Sequence, residues 1–158
     1  MLGQLLVTVY SQLEGFPSPS EQPEYYQKLA RIGFLNEQRD TKVLVAVTLE
    51  NRIVGGVVYF NDMAMYGSGG SATREKNASG IRLLGIDPNF RKSGVGKALT
   101  EACISLAKEH KHAQVILHTT QAMQIAWQMY IKMGFKRSTD LDFMQEELQV
   151  YGFRLQLQ

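Results

Sequence analysis

Arg91, Lys92, Ser93, Gly94, Val95, Gly96 and Lys97 are the residues of this chain best placed to do chemistry, and the chemistry is the holding of phosphate. Before them, Ile81-Arg82-Leu83-Leu84-Gly85-Ile86 reads as a buried strand closed by the turn residues Asp87-Pro88-Asn89. After them, Ala98, Leu99, Ala102, Cys103, Leu106 and Ala107 recur at helical spacing, which predicts a helix from about Val95 to Glu109. A glycine-bearing loop that ends a strand and opens a helix presents unpaired backbone N–H groups and the positive end of the helix dipole. Gly94 and Gly96 let the backbone come close to phosphate oxygens, and Lys92 and Lys97 add positive charge. Spacing removes two of the known phosphate loops. The magnesium-nucleotide loop needs glycine where Arg91 stands and a hydroxyl where Ala98 stands; the dinucleotide fingerprint needs a third glycine where Leu99 stands. What remains is Arg-x-x-Gly-x-Gly directly after a strand and an Asp-Pro turn. The bland alternative is a helix that merely begins with glycines.

Two further side chains are candidates for proton transfer. Tyr130 falls on a helix predicted over Ala122 to Met133, whose apolar stripe carries Ala122, Ile125, Ala126, Met129 and Met133. At about 100° per residue it stands about 40° from Ala126, at the margin of that stripe, where a phenol can bury its ring and turn its hydroxyl to a cleft. His118 lies in a short apolar strand, Val115 to Thr120, and its ordinary pKa suits a base near neutrality; a hydrogen-bonded structural histidine is the competing reading. Asp62 and Glu75 are weaker candidates for the base, and a water chain is another. Cys103 sits on the apolar stripe of the central helix without a histidine at local spacing, and reads as a small core residue.

The elements that must position these groups can be read along the chain. Leu2, Leu5, Leu6, Val9 and Leu13 fit a helix, although Val7 to Tyr10 alone fits a strand. Glu14 to Pro23 is a proline-rich loop, followed by a second helix with Tyr26, Leu29, Ala30 and Phe34 on its buried side. Val43 to Leu49 and Ile53 to Phe60 form a hairpin about Glu50-Asn51-Arg52. Asn61 to Gly80 reads as a long glycine-rich loop, Asp140 to Gln149 as an acidic loop, and Val150 to Leu157 as a last strand.

Two motifs in this order, with one strand between them, resemble the GNAT superfamily of N-acetyltransferases. The first is the hydrophobic strand running into Arg91-x-x-Gly94-x-Gly96. The second is Ala126, Tyr130, Lys132 and Gly134-Phe135, where a helix with a tyrosine runs into Gly-Phe. They cover about Ile81 to Phe135, and the Val43 to Phe60 hairpin and the last strand extend the match to most of the chain. The resemblance implies one α/β domain over residues 1–158. Its sheet would be mixed, largely antiparallel and twisted, flanked by helices, with the strand at Ile81 to Ile86 parallel to that at Val115 to Thr120. The first strand of the family would be missing, or supplied by Val7 to Tyr10. The resemblance further implies acetyl-CoA as acetyl donor, with Arg91 to Lys97 on its pyrophosphate and main-chain groups of Leu84 and Ile86 on its pantetheine arm. Tyr130 matches the tyrosine that acts as general acid on the sulfur. Some relatives carry a glutamate on the strand before the loop, where this chain has only Arg82, and many carry an asparagine where this chain has Met123. The implied acceptor is a primary amine of a small molecule or a peptide. The loops at Glu14 to Pro23, Asn61 to Gly80 and Asp140 to Gln149 would frame its pocket, and a homodimer is compatible with the pattern. Two rival functions stay open: a non-catalytic acetyl-CoA-binding module or sensor, and a partner-binding domain without cofactor.

Composition narrows the classes. The chain has 158 residues, 44% of them hydrophobic, enough for a full core without disulfides or metals. A net charge of +2 is too small to argue for a nucleic-acid surface, and no apolar run reaches membrane-spanning length. A single cysteine cannot form an internal disulfide, and the first residues lack a basic lead and cleavage site, so the expectation is a cytoplasmic protein without membrane or nucleic-acid partners.

Overall fold

In a computed structural model describing Met1–Gln158, the Ile81 strand starts earlier than its apolar run, at Ala78, and becomes the centre of the molecule. The strands are β1 (Thr41–Val47), β2 (Ile53–Phe60), β3 (Ala78–Ile86), β4 (Gln114–Thr119), β5 (Lys136–Arg137), β6 (Phe143–Gln145) and β7 (Leu148–Gln156). They form a seven-stranded sheet in the order β1-β2-β3-β4-β7-β5, with β6 also paired to β7. Every pairing is antiparallel except β3 with β4, the parallel pair expected from sequence. The four helices are α1 (Leu2–Ser11), α2 (Pro23–Ala30), α3 (Val95–Glu109) and α4 (Gln124–Lys132).

Both faces of the sheet are covered, which is why β2 is apolar along its whole length rather than alternating. Val58 and Phe60 face a core built with Leu6, Tyr10, Leu29 and Ile32 from the first two helices and the segment after them. Val57 and Tyr59 face the opposite core, with Leu99, Cys103 and Ala107 of α3 and Tyr130 of α4. The period-two alternation of a strand thus sorts neighbouring residues between two cores. No helix is long and apolar enough to cross a membrane.

Several expectations are corrected in detail. Val7 to Tyr10 is helical, because Leu6, Val9 and Tyr10 share the buried side of α1, so it supplies no strand. The second helix stops at Ala30 and passes into a 3-10 turn, Ile32–Glu37, so Ile32 is buried and Phe34 is 66% exposed. Asn61 to Gly80 is no open excursion: it carries two short 3-10 turns, buries Met63, Tyr66 and Ala72, and gives its last three residues to β3. Asp140 to Gln149 contains the last two residues of a 3-10 turn, all of β6 and the first two residues of β7.

Candidate active site

The site is created where β3 and β4 stop pairing. Their parallel register runs from Ala78–Gln114 to Ile81–Leu117 and ends there. β4 goes on pairing with β7 through His118 and Thr119, whereas β3 continues from Arg82 to Ile86 alongside β2 only. The two strands therefore diverge as a wedge, and the β4-facing backbone of Arg82–Ile86 has no strand partner. A bulge accompanies the divergence: two residues along β2, from Gly56 to Val58, match three along β3, from Gly85 to Arg82. Leu83 in that bulge has φ of 62°, left-handed backbone that a leucine adopts only at a cost of about 1–3 kcal/mol. The Leu84 carbonyl accepts from the Tyr10 hydroxyl at 2.8 Å, which ties α1 to the bulge.

At the outer end of the wedge the chain leaves β3 through Asp87, whose carboxylate accepts from the Asn89 N–H at 2.9 Å and caps a 3-10 turn over Pro88–Phe90. Arg91, Lys92, Ser93 and Gly94 follow, all exposed, with Lys92 at φ 64° and Gly94 at φ 87°. The first N–H of α3 paired within the helix is that of Ala98, to the Gly94 carbonyl, and no side chain caps this end. The N–H groups of Val95, Gly96 and Lys97 are therefore the orphan donors of a fifteen-residue helix. A Cβ at Gly94 would meet nothing within 4 Å, whereas one at Gly96 would lie 3.4 Å from Met129 Sδ of α4 and 3.7 Å from Ile86. The Ser93 hydroxyl is turned back to the Phe90 carbonyl, which leaves only its main chain for a ligand. Lys97 and Lys132 face the same groove between α3 and α4.

The inner end of the wedge opens into a cavity of about 100 Å³. Tyr130, 4% exposed, lines it. Burial raises its pKa well above the usual phenol value, with weaker contributions from Cys103 and Tyr66, so the hydroxyl keeps its proton throughout the neutral range. Thr119 and Thr120 line the same cavity, and their buried hydroxyls have no hydrogen-bond partner. Phe16, Ser68, Phe143, Gln145 and Leu148, from the segments Glu14 to Pro23, Asn61 to Gly80 and Asp140 to Gln149, also line it.

His118 is on the wall with both ring nitrogens engaged. Nε2 lies 2.8 Å from the Leu141 carbonyl, which can only accept, so Nε2 carries the proton; Nδ1 then accepts from the Tyr66 hydroxyl at 2.9 Å. Asp62 caps the turn at Ala64 and Glu75 pairs with Arg154, so both carboxylates are tied up away from the cavity. Of the four acids of the Asp140 to Gln149 segment, two are committed to ion pairs, Asp140 to Arg154 and Asp142 to Arg137, and Glu146 accepts from Gln22. Cys103 is fully buried, and burial pushes its thiol up to about 12.

Burial is the largest cause holding His118 below the usual histidine pKa; the Arg82 cation lowers it further, against the Leu141 carbonyl and Asp142. The unfolded chain takes up this proton near pH 6.5 and the folded chain only at lower pH, so the histidine's contribution to stability is complete above pH 6.5. It is lost as pH falls through the folded value, where protonation removes the acceptor used by Tyr66. Urea midpoints are expected to drop between pH 7.5 and 5 and to drop less steeply in His118→Gln, His112 keeping its own share. Equal slopes would place the acid sensitivity elsewhere.

Between the two ends of the wedge, sequence reasoning named Leu84, Ile86 and His118 but missed other residues of the wall. Thr119, Thr120, Tyr10 and Tyr25 carry no local signal that distinguishes a cavity wall from ordinary core. Arg82 does carry one, as the single charge in an otherwise apolar strand.

Comparison with known proteins gives the same reading as this geometry. The family model described as "Acetyltransferase (GNAT) family" matches residues 6–135. A mycothiol acetyltransferase of Streptosporangium roseum is 31% identical over 94 residues, 60% of this chain; the chain spans only about a quarter (26%) of that relative. A GNAT-family acetyltransferase of Staphylococcus aureus Mu50 superposes with a TM-score of 0.75 at 18% identity, covering 99% of this chain and 91% of its own. A Bacillus anthracis protein described as a streptothricin acetyltransferase, solved with acetyl coenzyme A, superposes with a TM-score of 0.62 at 20% identity, over 78% of this chain and 68% of its own. A family model covering more than half of the chain settles membership: the chain belongs to the GNAT family of acetyltransferases.

Proposed function

We propose that the chain is an acetyl-CoA-dependent N-acetyltransferase that moves an acetyl group to a primary amine of a small molecule or peptide by direct attack on the thioester. The observation that carries this reading is the wedge between β3 and β4, with uncapped helix N–H groups at one end and the buried Tyr130 hydroxyl at the other. The residues present fit the donor: free N–H groups at Val95, Gly96 and Lys97 and open space at Gly94 suit a pyrophosphate, while Arg91, Lys92 and Lys97 add charge. The unpaired backbone edge through Leu84 and Ile86 suits an amide-containing arm, which would continue the sheet where β4 has departed.

Bound there, acetyl-CoA supplies an activated acetyl group. Tyr130 protonates the departing thiolate, and its raised pKa keeps it in the donating form. Direct attack is supported by Cys103, whose buried, protonated thiol is no nucleophile for an acyl-enzyme. The amine's proton goes to water. No carboxylate lines the cavity, and the one lone pair of His118 is held by Tyr66, so we assign that histidine to positioning Leu141 and the strand after it.

The experiment is release of free thiol from acetyl-CoA in the presence of a panel of amines, amino acids and peptides, with calorimetry of acetyl-CoA binding alongside. Binding with acceptor-dependent thiol release is expected. Binding without release on the whole panel would favour a sensor module, and no binding would leave a partner-binding domain.

A further inference from the structure

We propose that Arg82 selects the acceptor, and that the amine acetylated by this chain carries a carboxylate close to its amino group, as a free amino acid does. This rests on the transferase reading above but adds what that reading leaves open, the chemical class of the second substrate.

Arg82 stands at the mouth of the wedge, one residue beyond the last β3–β4 pair, and lines the cavity together with His118, Thr119 and Tyr130. One edge of its guanidinium is fixed: Nη1 donates to the Tyr66 carbonyl at 2.9 Å, the guanidinium carbon lies 5.8 Å from the centre of the Tyr66 ring, and a Cβ on Gly67 would come within 3.2 Å of Nη1. The Nε and Nη2 donors have no protein acceptor. The protein's ion pairs are made by Arg39, Arg52, Arg137 and Arg154, and none reaches Arg82. The cavity wall holds no aspartate or glutamate. Glu21, Glu146 and Glu147 lie outside, around a surface depression at Gly15–Pro17 that shares Phe16, Gln145 and Leu148 with the cavity, and Glu146 accepts from Gln22. With His118 held neutral, the one full charge on the wall is a cation without a counter-ion.

A half-buried guanidinium left unpaired is costly, and a carboxylate on its free fork returns the energy as two parallel charge-assisted hydrogen bonds. The unpartnered hydroxyls of Thr119 and Thr120 are additional donors on the same wall. The cation has a second consequence. It disfavours an ammonium beside it, so an amine anchored through a neighbouring carboxylate is shifted toward its neutral, attacking form without a dedicated base. Arg82 thus accounts both for which amine enters and for how it loses its proton in a cavity without an acid.

The test uses matched pairs, glycine with glycinamide, leucine with leucinamide and phenylalanine with phenylalaninamide. The amide is the more easily deprotonated amine, so chemistry alone favours it. We expect the carboxylate member of at least one pair to have kcat/KM about tenfold or more above its amide, and that preference to vanish in Arg82→Gln. Arg82→Lys, which keeps the charge and loses the fork, should retain part of the preference, and acetyl-CoA affinity in both variants reports that the fold is intact. A native preference for amides overturns the proposal. So does an equal loss on both members of a pair in Arg82→Gln, which would mean that the cation acts on the thioester carbonyl. If no pair is acetylated, calorimetry of the same pairs on acetyl-CoA-loaded protein decides. Carboxylate-selective binding that Arg82→Gln abolishes keeps the anion site and removes the transferase reading; absence of such binding removes the site.

Discussion

Tyr130→Phe is expected to bind acetyl-CoA within about threefold of the native protein while acetyl transfer in a single turnover falls about ten- to a thousandfold. The substitution keeps the ring, its edge contact with Phe135 at 5.6 Å between centroids, and its place among Leu99, Cys103 and Phe153. It removes one hydroxyl, on a residue of the cavity wall, that makes no hydrogen bond within the protein, so no buried group is orphaned and stability should hardly change. What it deletes is a proton kept available by burial. Unlike a surface phenol, which begins to ionise near pH 10, Tyr130 stays protonated above that value, so the native rate should show no loss from its ionisation through pH 9. If product release limits steady-state turnover, the deficit is masked there, which is why the single-turnover rate is the quantity to measure. Full single-turnover activity in the Phe variant would make Tyr130 a packing residue and leave the thiolate to depart unaided.

Legibility of this fold from sequence followed the range over which each feature is determined. α3 was readable to the residue, because a fifteen-residue apolar periodicity opened by glycines is a local signal. The β1–β2 hairpin was readable for the same reason, β-branched runs about a short polar turn with Asn51 at φ 65°. Errors arose where tertiary packing overrides local pattern. Ile125 sits on the predicted apolar stripe of α4 yet is 65% exposed, whereas Tyr130, read as marginal, is the buried residue of that helix. The bulge at Leu83 was invisible, since no glycine marks it and the left-handed backbone is imposed by β2 and by Tyr10. Of the acids of residues 140–149, Asp140 and Asp142 find partners that no local pattern shows, Arg154 and Arg137 on the neighbouring β7 and β5. Once those pairs form, the charge left inside the cavity is Arg82, of opposite sign.

Gly94→Val is expected to weaken acetyl-CoA binding by about a hundredfold while the protein stays folded. At φ 87° a β-branched residue pays about 1–3 kcal/mol in backbone strain, and relief of that strain moves the loop that aims the first N–H groups of α3. Nothing lies within 4 Å of the new Cβ, so the cost is not a clash with the core, and the exposed loop can absorb it without loss of the native sheet. Gly94→Asn, which tolerates left-handed backbone, should lose much less. That ordering separates strain from blockade, because a purely steric effect would scale with side-chain size alone. Gly96 supplies the complementary case. It has helical backbone, and a Cβ there would touch the flexible Met129 side chain at 3.4 Å, so Gly96→Ala should fold at least as stably as the native protein. Gly96→Val, carrying two methyl groups beside the orphan N–H groups, should nonetheless abolish binding. Calorimetry of acetyl-CoA with folded Gly96→Val at native affinity would show that the start of α3 is not where the pyrophosphate sits.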